Sequence, residues 1–150
     1  MRKAMSFLLC LFLLTGLASA ARAQTVSCPE ARLVLTVPDG WRTVPRSDMD
    51  DPDLCLHLDG GSVSLYIYTA DTGGSFPGFQ VFTGDETESA DVTLSGRRMN
   101  YVAGSGTGGN YRIYTWQDRR DQVQLYFLII SSPDASRNTV DRIMDSLIFE

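Results

Sequence analysis

The chain has 150 residues, 43% of them apolar, which is enough for one folded domain with a core and too short for several. Its 18 acidic residues outnumber 13 basic ones. Such a surface repels nucleic acid phosphates and anionic lipid heads, which argues against both as partners and leaves cationic proteins as its electrostatic complement.

Arg2 and Lys3, an apolar run over residues 7–14, a Thr-Gly break and the small residues at 18–23 read as a secretory signal peptide. It is too short for a membrane anchor, and no later run is long and apolar enough to span a bilayer. Cleavage is expected after Ala23, with Ala20 as the competing site, so residues 1–23 are signal and residues 24–150 one α+β domain. Without Arg2, Lys3 and Arg22, 10 basic residues face 18 acidic ones, a formal charge of −8. Cys10 leaves with the signal. Cys28 and Cys55 remain, an even pair in an exported chain, and are expected to form a disulfide. Closing that loop stabilises the fold by about 3.5 kcal/mol in the chain-entropy account. The alternative, a redox or metal-binding pair, lacks Cys-x-x-Cys spacing and nearby ligands.

Residues 32–37 alternate with Leu33, Leu35 and Val37 inward, and Pro38-Asp39-Gly40 turns the chain into Trp41. A polar loop over 45–53 leads to a strand at 54–58 carrying Cys55. Residues 62–69 alternate most regularly: Val63, Leu65 and Ile67 face a core, while Tyr66 and Tyr68 lie on an outer, half-polar face. The acidic stretch 84–90 reads as a loop by composition, and residues 92–94 and 98–103 as short strands around Ser95-Gly96. The glycine-rich stretch 104–110 connects onward. Residues 111–116 and 122–130 form a hairpin about a polar turn at 118–121. The second of these strands is apolar on both faces, as a covered central strand is. Ser132-Pro133-Asp134 is a helix-start signature, and Val140, Ile143, Met144 and Leu147 recur at the spacing of one helical face. The fold class is therefore α+β: a twisted antiparallel sheet with a C-terminal helix packed on one face.

A strand ending in Pro38-x-Gly40-Trp41, several antiparallel strands, a late hairpin and a helix closing on Ser146-Leu147-Ile148-Phe149 resemble the PsbP-like superfamily. That superfamily includes photosystem II extrinsic proteins, a Ran-binding nuclear-transport protein, bacterial periplasmic proteins of the DcrB type and chaperones of type VI secretion effectors. The resemblance implies a sandwich around an antiparallel sheet, a periplasmic setting, and an early helix between Trp41 and Leu54. It carries no active-site residues onto this chain.

Five candidate sites remain, weighed against structural alternatives. Asp71-Thr72-Gly73 matches the tripeptide of aspartic-type hydrolases, which pair two such loops; a single copy equally ends a strand. Asp48, Asp50, Asp51 and Asp53 suit a hard cation such as calcium but lack the glycine and distant glutamate of an EF-hand, and such aspartates also cap turn amides. Gly104 to Gly109 has no following Lys-Ser/Thr or helix to cradle a phosphate. His57, the only histidine, has no serine elbow beside it. Tyr66, Tyr68, Tyr114 and Trp116 are either a tyrosine-rich recognition surface or core under the helix. The function expected is a non-catalytic exported protein that binds another protein, of the inhibitor or immunity type. The alternative is a metal or small-ligand module.

Overall fold

The computed structural model describes residues 22–47, 51–71, 85–106, 108–118 and 123–150. Among these residues, ten strands form two antiparallel sheets. β1 (Gln24–Cys28), β2 (Leu33–Val37) and β10 (Ile148–Phe149) make a three-stranded sheet in the order β1-β2-β10. The larger sheet runs β3-β4-β5-β9-β8-β7-β6, from β3 (Arg42–Thr43), β4 (Leu54–Asp59), β5 (Val63–Asp71), β6 (Asp85–Leu94), β7 (Arg97–Gly106), β8 (Gly109–Asp118) and β9 (Val123–Ser131). One helix, α1 (Arg137–Asp145), follows. Among the described residues, nine are α-helical and a 3-10 turn (Pro29–Ala31) precedes β2, so the fold is predominantly antiparallel sheet and the helical share of an α+β fold is small.

The period-two pattern of β5 and β9 sets the two faces of the large sheet. Val63, Leu65 and Ile67 share one face with Leu125, Phe127 and Ile129; Tyr68, Tyr126 and Leu128 share the other. Nine residue pairs, from Val63 with Ser131 to Asp71 with Val123, hold the two strands in register. On the first face lie α1 and the small sheet: Val140, Ile143, Met144 and Leu147 are buried in one cluster with Leu33, Leu35, Val37, Leu65 and Ile129. On the second, Tyr68 is only 7% exposed, and Tyr111, Ile113, Tyr126 and Leu128 are buried too. The sheet is thus covered on both faces at its centre, where the alternation of residues 62–69 suggested a wet outer side.

Several boundaries differ from those read in the sequence. Ser132-Pro133-Asp134 makes a turn, closed by the Ala135 amide on the Ser132 carbonyl at 3.0 Å, and the helix starts one turn later with Ser136 as its N-cap. Proline in a first turn suits a β-turn as well as a helix, and the turn lets the Ser132 amide reach the Ser62 carbonyl at 2.9 Å. Ile148 and Phe149 do not extend the helix; they pair with Val34 and Leu33. The stretch read as an acidic loop is the first half of β6, paired with β7 from Asp85 to Leu94. Its low strand propensity is overridden by the ladder with β7. The glycine-rich stretch is a hairpin in which Gly106 pairs with Gly109, and Gly109, at φ +118, meets the Ser131 carbonyl where a side chain would sit. Among the described residues, no helix lies between Trp41 and Leu54; residues 48–50 are outside them. Residues 1–21 of the expected signal segment and residues 119–121 of the turn expected at 118–121 also lie outside, while Asp118 ends β8. No helix among the described residues is long and apolar enough to cross a membrane.

Pro38-Asp39-Gly40 carries the chain from the small sheet to the large one. Gly40 takes φ +88, a turn conformation that glycine adopts without strain, and Trp41 is buried against Gly60, whose Cβ, if present, would overlap the indole. Ser146 locks the helix to the small sheet: its Oγ accepts the Thr36 amide at 2.8 Å and donates to the Ile143 carbonyl at 2.7 Å. Phe127 is fully buried at the centre, whereas Ile148 is 63% exposed. Phe127→Ala is expected to cost about 3–5 kcal/mol in urea unfolding. Ile148→Ala should change stability by less than about 0.5 kcal/mol, the range of an exposed site.

Candidate functional site

The large sheet ends differently on its two sides. β3 is two residues long and tied to β4 by Arg42, whose guanidinium donates to Asp59 Oδ2 at 2.7 and 3.0 Å. That contact and the Gly61 amide hold the Asp59 carboxyl below the usual carboxylate range. β6, on the other side, is ten residues long and, among the described residues, pairs only with β7. Its sequence, Asp-Glu-Thr-Glu-Ser-Ala-Asp-Val-Thr-Leu, has four acidic residues and no basic one. Glu88, Ser89, Ala90, Asp91 and Thr93 are exposed. Arg98 on β7 neutralises one carboxylate, Asp91, at 2.6 Å. A register shift between Glu86 and Glu88 marks a bulge.

Where β6 ends, Leu94 pairs with Arg97 at the start of β7. The Arg97 guanidinium lies over two adjoining rings, 4.1 Å from the Trp116 centroid and 3.9 Å from that of Phe149. The rings themselves are 5.6 Å apart and tilted by 45°. Three separate elements build this clamp. Alternation along β8 turns Trp116 to the face of Tyr114, and the pairing of β10 with Leu33 brings Phe149 over it. A cavity of about 220 Å³ opens beside the clamp, with Glu30, Arg32, Leu125 and Glu150 on its walls. Cation–π contact with both rings holds a charged group against apolar surface.

A second cavity, about 230 Å³, lies at the start of α1, walled by Tyr101, Asn110, Arg112, Ser136 and Arg137. Arg112 is committed there: it pairs with Asp141 of the helix at 2.7 Å and packs beside Tyr101 and Tyr114, whose rings are 5.0 Å apart. Burial pushes the Tyr114 phenol up to about 12 and raises Tyr101 as well.

The residues singled out in the sequence are distributed as follows. Tyr66 and Tyr68 lie on one face of the large sheet, and Tyr114 and Trp116 on the other, so the four make no common surface. Tyr66 stacks on His57, centroids 4.1 Å apart, across the β4–β5 pair. Tyr68 and Tyr114 are buried, and Trp116 half-buried. Asp51 accepts the Asp53 amide at 2.9 Å, as a turn aspartate does, while Asp48 and Asp50 lie outside the described residues. Asp71 ends β5, and Thr72 and Gly73 lie outside them. Among the described residues, no three His, Cys, Asp or Glu side chains are grouped as metal ligands. Cys28 and Cys55 come together, both as free thiols. Sequence reasoning missed the acidic edge strand and the Arg97 clamp. For the clamp, the only local signal is the alternation that gives Trp116 the face of Tyr114.

No family model matches the chain, and no curated protein matches it. Solved structures similar in fold include the solution structure of cyanobacterial PsbP (CyanoP) from Synechocystis sp. PCC 6803, 11% identical, with a TM-score of 0.63 over 90% of this chain and 96% of that one. A crystal structure from Bacteroides thetaiotaomicron VPI-5482, also 11% identical, has a TM-score of 0.54 over 85% of this chain and 48% of that one. The fold is PsbP-like, as the order of elements and the Pro-x-Gly-Trp strand end imply. At this identity the likeness concerns the fold alone.

The tyrosines under α1 make stability depend on alkaline pH. A phenol whose pKa rises on folding contributes stability that is complete below its unfolded value of 10.0 and is lost as pH rises through about 12. Urea midpoints are expected to fall across that window, and Tyr114→Phe should flatten the fall. Tyr101 and Tyr126 are shifted in the same direction and keep the rest of the slope.

Proposed function

We propose that this PsbP-like chain is a non-catalytic, exported domain, spanning residues 24–150, that binds another protein along the open edge of β6. The observation that supports it is the edge strand itself: ten residues that, among the described residues, are hydrogen-bonded on one side only, in a sequence with four acidic residues and no basic one. An unpaired strand edge offers a ladder of amides and carbonyls to an extended segment, and flanking charge selects which segment adds. Acidic residues also stop such an edge from pairing with another copy of itself, since carboxylates would face carboxylates. A basic extended segment meets no such repulsion. The partner is therefore a cationic protein, and an inhibitor or immunity-type role fits a small acidic domain that steers onto one. The aromatic clamp at the end of β6 lies where the added strand would leave the edge, and offers an apolar seat for one of its side chains.

The test is affinity capture from the envelope fraction of the source organism, comparing the wild type with Glu88→Lys/Asp91→Lys. A basic protein held stoichiometrically by the wild type, lost more than about tenfold on charge reversal and released by salt, is the expected outcome. Circular dichroism and thermal melting check that the variant is folded. Equal capture by both forms, or no capture by the folded wild type, sinks the reading.

A further inference from the structure

Cys28 and Cys55 stand 27 residues apart in the chain and meet in the fold. Cys28 is the last residue of β1, opposite Leu33 in the small sheet. Cys55 is the second residue of β4 and packs against the core cluster between the sheets, next to a register shift between Leu54 and Leu56. The two thiols are within hydrogen-bonding reach of each other. They are not equivalent. Cys28 is 1% exposed, whereas Cys55 is half-buried, with its sulfur 3.2 Å from Thr69 Oγ1 and 3.6 Å from the Asp53 carbonyl.

We propose that the pair is a thiol–disulfide exchange centre in which Cys55 attacks first, Cys28 resolves, and the resulting bridge staples the small sheet to the large one. The oxidant is a disulfide-bearing oxidoreductase or a small-molecule disulfide. The Cys55 thiolate attacks one donor sulfur, forming a mixed disulfide and releasing the other donor sulfur as a thiolate. Cys28 then gives up its proton to that thiolate and attacks the Cys55 sulfur, and the second donor sulfur leaves. Two electrons pass from the two cysteines to the donor disulfide, and one S–S bond replaces another. The polar surroundings favour this order: the hydrogen bond from Cys28, with help from Thr69, brings Cys55 down to about 7, while the same bond and burial push the Cys28 thiol up. Exposure favours it too, because the donor reaches Cys55 from solvent and Cys28 only through Cys55.

The bridge joins layers that otherwise meet mainly through side-chain packing. It would leave the acidic edge of β6 untouched, so the proposal stands independently of the partner reading.

The experiment uses the full chain carrying Cys10→Ser, purified reduced and treated with glutathione disulfide. Intact mass and peptide mapping should show wild-type Cys28 and Cys55 losing two hydrogens and linking their peptides within one chain. Cys28→Ser should trap a glutathione adduct on Cys55, formed roughly tenfold or more faster than any adduct on Cys28 in Cys55→Ser. Should a variant fail to fold, the order is read in the reduced parent by brief iodoacetamide labelling, where Cys55 must be modified before Cys28. The oxidised chain should also melt several degrees higher than the reduced one. Disulfide-linked dimers in place of the internal bridge, equal labelling of the two thiols, or no oxidation overturns the proposal.

Discussion

The pairing of β5 with β9 is the constraint on which the rest of the structure depends. The two strands come from opposite halves of the chain, and nine residue pairs hold them. Both have side chains buried on both faces of the sheet. A shift of register by one residue would carry Val63, Leu65 and Ile67 to the face of Tyr68 and Tyr126 and break both clusters at once. Once this pair is set, β4 and β3 add on one side and β8, β7 and β6 on the other. The face bearing Leu65, Phe127 and Ile129 then receives α1 and the small sheet.

The two edges of the resulting sheet follow different physical solutions. The β3 edge is short, so little ladder is open, and the Arg42–Asp59 pair secures it. The β6 edge is long and charged. Charge blocks pairing with a like edge but not with an opposite one. The clamp of Arg97 with Trp116 and Phe149 stands at the end of that strand, where the large sheet, β10 and the 3-10 turn at Pro29–Ala31 converge.

The small sheet depends on contacts made late in the chain. Ile148 and Phe149 complete it, the Ser146 hydroxyl bonds to Thr36 at its middle, the Glu150 amide donates to the Arg32 carbonyl, and the Ser95 hydroxyl reaches the Leu147 carbonyl from the β6–β7 turn. Most of these ties run to β2. β1, at the sheet's outer edge, ends in Cys28.

Much of this was determined by the sequence alone. Period-two alternation in residues 62–69 and 122–130 marks β5 and β9 because a strand's side chains leave on alternate faces whatever surrounds them. Three-and-four spacing marks α1 in the same way, and the Pro-x-Gly-Trp turn states its own geometry. Only the tertiary structure decided the remainder. β6 is a strand because β7 supplies its ladder, which composition at residues 85–90 does not reveal. Tyr68 and Tyr126 are buried because the second sheet face is covered, while alternation says only that they share it. Ile148 and Phe149 leave the helical pattern because β2 offers them hydrogen bonds. Arg97, Trp116 and Phe149 form one clamp, and Cys28 and Cys55 one pair, because contacts between distant residues are created by packing, and local periodicity carries no record of them.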